Sequence, residues 1–381
     1  MNARTNPPPG RQTAADSVAH ARPGVRAMRR QDVPAVEALF CKAFARGRPT
    51  GDLAAYIEAV FFGSPHYSEE HGSIVYDDGR SGVTSALLSL PMPFLAHGEP
   101  IMARLFCAFM SDGSRAGALG AARLSRSVGA GRVDMGFSDN ASPVSADHSV
   151  ASGGILLPVE SLEWRRTFQP LGALTCRKGA HGQQRPLPLV APLLRALDRA
   201  ILARKPLIRP VPARGCTTRE AAPQAFLDHA QAMTARFAVR PVWTRDHFDW
   251  LLGVVAMNRT IGPLHCRTVE ETGRTIGVFL FTGRPGATAR VLNLICAEGR
   301  ELDVVAQMFA GLADEGYVAA AGVAQPFMVN AVMRQRRLTF RHRGYLCLNT
   351  RHDALRESAR RGDLYIGGLA SESWSRLVTD F

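Results

Sequence analysis

A glycine-rich stretch with one arginine is the part of this sequence whose residue types and spacing best fit phosphate chemistry. It reads Ser111-Asp112-Gly113-Ser114-Arg115-Ala116-Gly117-Ala118-Leu119-Gly120 and follows an apolar, strand-like run. Small residues continue after it at helical spacing, so the pattern predicts a strand, a tight turn and a helix start. Such a turn presents free backbone N–H groups and the positive end of a helix to an anion. We therefore predict a pyrophosphate-binding turn, in which the glycines permit close approach and Arg115 adds a positive charge.

The same stretch also has a purely structural explanation. Small residues in a strand-to-helix connection permit close packing and need bind nothing. Asp112 is likewise of a type that caps helices and stabilises turns. A glycine-rich turn is a weak motif by itself, and only its position between a strand and a helix favours phosphate binding.

The elements before and after the turn alternate between strand-like and helical patterns. Asp32 is placed to cap the first helix, and Pro34 is tolerated in its first turn. The predicted strands are residues 25–30, 73–76, 83–90, 101–110 and 132–137, and the predicted helices begin at Asp32, at Leu53 and after Gly120. Turns at Asp78-Gly79 and His97-Gly98 make the middle strands an antiparallel meander.

A similar order of elements returns in the second half of the chain. Residues 171–220 are rich in Pro, Gly and Arg and predict a connector with one helix over 189–202. Beyond it, helices are predicted at 224–235, 247–256, 301–316 and 328–335, and strands at 264–269, 275–281, 289–297, 318–323 and 340–348. We therefore predict an α/β (α+β) protein with two tandem units, residues 25–170 and 221–381. Each unit has a mixed, mostly antiparallel sheet flanked by helices, and residues 1–24 form a disordered leader.

The overall composition, 46% hydrophobic and 21% charged residues, is that of a globular protein and excludes global disorder. A net charge of +13 fits anionic partners, but nearly all the cations are arginines in a chain also rich in Ala, Gly and Pro. This bias indicates a GC-rich genome, so the charge is weak evidence for nucleic acid. Arginine nevertheless suits the phosphates of a ligand such as coenzyme A.

The seven cysteines form no CxxC pair, so no zinc or redox centre is predicted. The sequence contains no apolar run of the length that a secretory signal or a membrane span needs. We therefore expect a cytoplasmic protein with reduced thiols.

The glycine-rich turn resembles the pyrophosphate loop of the GNAT acyltransferases, which reads Arg/Gln-x-x-Gly-x-Gly/Ala between the fourth strand and the third helix. Arg115 and Gly120 match the ends of this motif, whereas Ala118 occupies its inner glycine position and Gly117 lies one place early. The resemblance implies acetyl-CoA or another acyl-CoA as co-substrate and no metal. The implied cofactor-binding residues are Phe109, Met110, Gly113, Arg115, Gly117, Ala118 and Gly120.

Three further segments resemble GNAT proteins. Residues 26–36 are similar to the family's opening strand and helix, and residues 132–140 to its fifth strand and the asparagine-bearing turn that follows. Residues 324–331 and the strand after them resemble the end of a second GNAT unit. The resemblance therefore implies a tandem pair of GNAT-like units.

The resemblance also implies roles for three titratable residues. In the family, a carboxylate or a water chain deprotonates the amine, a backbone N–H of the fourth strand holds the thioester carbonyl, and a tyrosine protonates the thiolate. Asp112 and Asp134 are the candidate carboxylates. The first unit has no tyrosine beyond Tyr76, so His148, eight residues after Asn140, is the candidate acid. A loop histidine and a solvent-facing aspartate are the structural alternatives for His148 and Asp134.

The second unit has residues 297–302 where its phosphate loop would lie, and the carboxylates there would repel a pyrophosphate. It is therefore predicted to be a degenerate unit that completes the fold, walls the acceptor cleft or forms a homodimer.

Three functions follow from these features. The first is acyl-CoA-dependent N-acyl transfer, with acetyl-CoA as donor, to an amine or amino-sugar-like small molecule. The second is a Fem-like aminoacyl transferase, which also pairs GNAT units but takes aminoacyl-tRNA, the one nucleic acid that the basic charge favours. The third is a non-catalytic binding protein on a decayed GNAT fold, which the missing tyrosine and Ala118 favour.

Overall fold

The computed structural model describes residues 23–44, 52–178, 184–186, 191–204 and 209–379, so most of the predicted leader lies outside the described residues. The described strands are β1 Gly24–Ala27, β2 Ile74–Asp77, β3 Val83–Ala96, β4 Glu99–Ser111, β5 Met135–Ala141, β6 Ile155–Leu157, β7 Leu162–Thr167, β8 Cys176–Lys178, β9 Gln184–Pro186, β10 Cys216–Ala221, β11 Val239–Pro241, β12 Leu264–Glu271, β13 Arg274–Thr282, β14 Thr288–Cys296, β15 Ala319–Val323, β16 Leu338–His342 and β17 Tyr345–Asn349. The described helices are α1 Val33–Ala43, α2 Leu53–Ile57, α3 Arg115–Ser127, α4 Pro143–Ala151, α5 Pro170–Thr175, α6 Ala191–Arg204, α7 Gln224–Thr234, α8 Arg245–Met257, α9 Glu301–Asp314, α10 Pro326–Met333, α11 Asp353–Arg361 and α12 Arg376–Thr379.

Local sequence determines where helix α1 begins. Asp32 stands at the N-cap position and Pro34 lies in the first turn, as predicted. The Asp32 carboxylate does not cap α1, however. It accepts a hydrogen bond of 2.8 Å from the backbone N–H of Arg29 and pairs with Arg26 at 2.6 Å. The apolar stripe of α1 is buried as the helical spacing predicts.

The first sheet has the order β1-β2-β3-β4-β5-β17-β6, and β11 pairs with the far end of β3. Its pairs are antiparallel except for β4 and β5, which run parallel. Helix α3 makes the crossover between these two strands and packs on β2, β3 and β4. The long β3–β4 hairpin turns at His97 and Gly98, which both have positive φ.

The second sheet has the order β10-β12-β13-β14-β15-β7-β16 and repeats this arrangement. Here β14 and β15 form the parallel pair, and α9 connects them. The predicted fold class, two mixed and mostly antiparallel sheets flanked by helices, is confirmed.

Each sheet contains a strand from the opposite half of the chain. β17 lies between β5 and β6 in the first sheet, while β7 lies between β15 and β16 in the second. β11, from the second half, also pairs with β3 of the first sheet. The expectation that each half folds around its own sheet is therefore wrong for these three strands. The single strand predicted over 340–348 breaks at Arg343-Gly344, and its parts enter different sheets.

The largest apolar core also joins the two halves of the chain. It contains Phe40, Leu90 and Phe137 from the first half and Phe248 and Tyr365 from the second. The predicted boundary between Leu171 and Cys216 falls partly outside the described residues and stays a prediction. Within the described residues, no helix is long and apolar enough to cross a membrane.

Candidate functional site

A cleft opens where the parallel strands β4 and β5 separate. Their pairing covers Ala103–Leu105 on β4 and 135–137 on β5, whereas β4 continues to Ser111 and β5 to Ala141. A cavity of about 410 Å³ lies between the unpaired parts. Two strands that separate in this way leave space between them for a ligand, while their first residues stay paired.

A β-bulge on β4 explains the separation. Phe106 pairs with Ser89 of β3, and Ala108 pairs with Leu88, so Cys107 is the extra residue. A bulge bends its strand and increases the local twist. The bend follows directly after the last residue that pairs with β5, and it turns β4 away from β5.

Helix α4 and strand β17 form the other walls of the cavity. Ser142 caps α4 by accepting a 3.2 Å hydrogen bond from the N–H of Ser145, and Pro143 occupies the first turn. Ser149 of α4 donates to Asn349 of β17 at 2.7 Å. These cap signals are visible in the sequence, but our sequence analysis did not predict this helix.

The glycine-rich turn leaves the same strand a few residues beyond the cavity. Ser114 caps α3 by accepting a 3.0 Å hydrogen bond from the N–H of Gly117, and Asp112 accepts one of 2.8 Å from the N–H of Ser114. The first N–H groups of a helix have no intrahelical partners, so those of Arg115 and Ala116 remain for solvent or a ligand. The Arg115 side chain is exposed.

The buried glycines of the turn serve packing. A Cβ atom on Gly120 would lie 2.5 Å from a ring carbon of Tyr76 and 2.6 Å from the Ser85 hydroxyl. A Cβ atom on Gly117 would lie 2.2 Å from the Asp112 carboxylate. Both glycines are thus needed to seat α3 on the sheet, whatever the turn binds.

Solved structures share this architecture, although no protein-family model and no curated protein matches the sequence. The fold is similar to that of the GCN5-related N-acetyltransferase from Anabaena variabilis ATCC 29413, with a TM-score of 0.55, 10% identity and coverage of 87% of this chain and 74% of that one. It is also similar to a probable N-acyltransferase from Enterococcus faecalis V583, with a TM-score of 0.53, 11% identity and coverage of 86% and 72%. The protein has a GNAT-like fold.

At the parallel pair of the second unit, β14 and β15, the described residues leave a pocket of only about 20 Å³. In the second unit, the last part of β14 is covered by the segment 364–369. Asn293 of β14 donates to the Tyr365 hydroxyl at 3.1 Å and accepts from the N–H of Leu369 at 2.8 Å. The following turn is occupied by ion pairs, since Arg300 binds Glu271 at 2.7 Å and Arg236 binds Glu301. The degenerate second unit stays a prediction.

The predicted site residues of the GNAT-like fold lie in three places. Phe109 and His148 line the cavity, with their rings in a T-shaped contact at 5.9 Å. Met110, the neighbour of Phe109, is buried in the main core. The turn residues lie beyond the end of β4, where Arg115 and Ala118 are exposed.

The two predicted carboxylates do not line the cavity. Burial opposes ionisation of Asp112, but hydrogen bonds from Ser114 outweigh it and hold the pKa of Asp112 below its usual value. Burial also opposes ionisation of Asp134, and its bonds to His352 and Arg351, at 2.8 and 2.6 Å, again lower the pKa. A carboxylate whose pKa is lowered by such hydrogen bonds is a weak base. A catalytic role for Asp112 or Asp134 stays a prediction.

Glu372 was not predicted from the sequence. It lines the cavity from the C-terminal segment and is 4% exposed. Burial, and then the nearby Asp139, raises its pKa well above the usual range, and Arg343 lowers it only in part. The available signal was a single acid in the segment 364–377, which follows the apolar residues 364–370, because acids are rarely buried without a partner.

Cys107 also faces the cavity. Burial, with the nearby Glu372 and Asp139, raises the pKa of its thiol well above the usual value, so it is a poor nucleophile. Among the described residues, no group of three or more His, Cys, Asp or Glu side chains could hold a metal ion.

Proposed function

We propose that the protein transfers an acyl group from an acyl-CoA, acetyl-CoA in the simplest case, to an amine of a small molecule. The observation that carries this proposal is the cleft between β4 and β5, a few residues before β4 ends at the capped N-terminus of α3. A thioester arm fits the cleft between the strands, and a pyrophosphate fits the N-terminus of α3.

The donor would be held mainly by backbone groups. Its pyrophosphate would accept hydrogen bonds from the N–H groups of Arg115 and Ala116, and the exposed Arg115 guanidinium would add a charge-assisted contact. Its pantetheine arm would run along β4 past Phe109 into the cavity. The apolar wall formed by Phe40, Leu87 and Phe106 would take the acyl group.

The chemical step needs an oxyanion donor and an acid. The bulge at Cys107 leaves β4 without a strand neighbour on the cavity side, so a backbone N–H there is available to the thioester oxygen. His148 lines the same cavity and would protonate the departing thiolate. The acceptor amine would enter from the side of α4.

A thermal-shift comparison tests the proposal. Acetyl-CoA and free CoA should each raise the apparent melting temperature, because a ligand that binds only the native state stabilises it. Deacylated and aminoacylated tRNA should leave it unchanged. A shift with aminoacyl-tRNA alone would favour the Fem-like alternative, and no shift with any of these ligands would favour a non-catalytic protein. Release of free CoA thiol in the presence of amines then measures transfer directly.

A further inference from the structure

Glu372 is a buried carboxyl group with an unsatisfied oxygen at the wall of the cavity. Its side chain is 4% exposed, and Oε2 has no hydrogen-bond partner within the part of the chain that the structure describes. Its backbone N–H is held by the Asp139 carboxylate at 3.3 Å, which fixes the residue in place. Burying such a group without a partner is costly, and because Glu372 lines a cavity, a ligand there can supply the partner.

The charges around Glu372 do not supply that partner. Asp139 pairs with Arg343 at 2.6 Å, and both side chains are at most 10% exposed, so their charges largely cancel. The other titratable groups at the cavity are Cys107, Cys347 and His148, and burial raises the pKa of both thiols. Burial likewise raises the pKa of Glu372, which favours its neutral form in the empty cavity and makes its ionised form a stronger proton acceptor.

We propose that Glu372 is the general base of the transfer reaction and that the acceptor therefore presents a primary or secondary amine to this cavity. The proposal rests on the proposed acyl transfer. An amine fits the site since, as its ammonium form, it is the counter-charge that an ionised Glu372 lacks. Glu372 also shares the cavity with the β4 bulge, where the thioester carbonyl would lie.

The step balances as follows. The ammonium first loses one proton to solvent through Glu372, which leaves a neutral amine and an ionised Glu372. The amine nitrogen then attacks the thioester carbon and forms the C–N bond while a second proton moves to a carboxylate oxygen of Glu372. The C–S bond breaks, its electron pair stays on sulfur, and the thiolate takes a proton from protonated His148. Glu372 then returns its proton to solvent, and His148 regains one from solvent. The products are an amide and free CoA, and no further reactant is needed.

The test compares Glu372→Gln with wild type and with Glu160→Gln. Glu160 is the matched control, because it is another buried carboxyl with an unpartnered oxygen but does not line the cavity. Turnover with a panel of primary amines is measured from pH 6 to 9, and acetyl-CoA affinity by titration calorimetry. Glu372→Gln should lower kcat about 10²- to 10⁴-fold, keep the acetyl-CoA affinity and flatten the rise of kcat with pH. Glu160→Gln should behave as wild type.

The outcomes separate the two proposals. Wild-type kcat and pH profile in a folded Glu372→Gln variant would overturn the role of Glu372 and leave acyl transfer intact. A wild-type protein that neither binds acetyl-CoA nor acylates any amine would overturn both. If Glu372→Gln does not fold, infrared difference spectra of the wild-type protein with and without amine test the proposal instead. Amine binding should remove a protonated carboxyl band, and no change in that band would overturn the proposal.

Discussion

Arg343 and Asp139 form a buried ion pair of 2.6 Å between positions 204 residues apart in the chain. Arg343 stands between β16 and β17, at the point where the chain leaves one sheet for the other. Asp139 lies on β5, on the wall opposite the bulge of β4. The pair therefore fixes both the strand exchange and one side of the cavity.

Replacing Arg343 by Met should lower the free energy of unfolding by about 3–5 kcal/mol, because it leaves Asp139 buried and unpaired. Arg209→Met is the matched control. Arg209 also pairs with a carboxylate, that of Asp314 at 2.8 Å, but the two side chains are 68% and 62% exposed, so its loss should cost less than about 1 kcal/mol. Urea denaturation of both variants measures the difference. Equal losses would show that the buried pair has no special role.

Replacing Arg115 by Glu should weaken acetyl-CoA binding about tenfold or more, since it puts a negative charge where the pyrophosphate is proposed to bind. Arg126→Glu makes the same charge change in the last turn of α3, also at an exposed position, and should leave the affinity nearly unchanged. Titration calorimetry at one salt concentration compares the two variants. Similar affinities for both would argue against a donor phosphate at this turn.

Replacing Gly120 by Ala should destabilise the fold by about 1–3 kcal/mol, because the new Cβ would overlap Tyr76 and Ser85. Gly253→Ala in α8 is the control. No atom lies within 4 Å of its Cβ position, so the change should stabilise the protein by about 0.5–1 kcal/mol. Thermal unfolding measures both effects. A neutral Gly120→Ala would mean that this glycine is not required for packing.

Replacing His148 by Ala should lower kcat about ten- to a hundredfold and leave acetyl-CoA affinity unchanged. The effect is at the low end of acid catalysis because a thiol with a pKa of about 8.5 is a good leaving group. His229→Ala, on α7 and outside the cavity lining, should have no effect. Equal turnover of His148→Ala and wild type from pH 6 to 9 would leave solvent as the proton source.

Glu160 should make stability depend on pH near neutrality. Burial raises its pKa from 4.5 to about 7, so the folded state holds a proton that the unfolded state has released. This contribution is complete below about pH 4.5 and is lost as the pH rises towards 7. Glu160→Gln should remove this fall in the free energy of unfolding, which amounts to about 2–4 kcal/mol at about 1.4 kcal/mol per pKa unit. Glu298→Gln, at an exposed position, should leave the pH dependence of stability unchanged. Chemical denaturation from pH 4 to 8 provides the measurement.

Local patterns in the sequence predicted the elements that local chemistry determines. The helical stripe of α1 and the β3–β4 hairpin depend on neighbours within a few residues, and they lie close to their predicted positions. The predicted start of α3 after Gly120 is wrong, because the helix begins at Arg115, directly after its cap Ser114. The open cleft could not be predicted in this way. It depends on a one-residue bulge at Cys107 and on a register that only the three-dimensional pairing reveals.

The sheet membership of β17 and the position of Glu372 were missed for a related reason. Both depend on contacts with β5 that span more than 200 residues, and the spacing of residues carries no information about such contacts. Asp112 and Asp134 could be selected as candidates from the sequence. Their hydrogen bonds, from Ser114 to Asp112 and from Arg351 and His352 to Asp134, could not be predicted.

The exchanged strand β17 has a consequence for how the protein is made. β5 is synthesised 204 residues before its buried partner Arg343 leaves the ribosome. At about 5–20 residues per second, this is a delay of about 10–40 s. Throughout that time, the nascent first sheet has an unsatisfied edge on β5 and an incomplete cavity, and such an edge pairs readily with other chains. The cavity between β4 and β5 is therefore complete only after most of the chain has emerged.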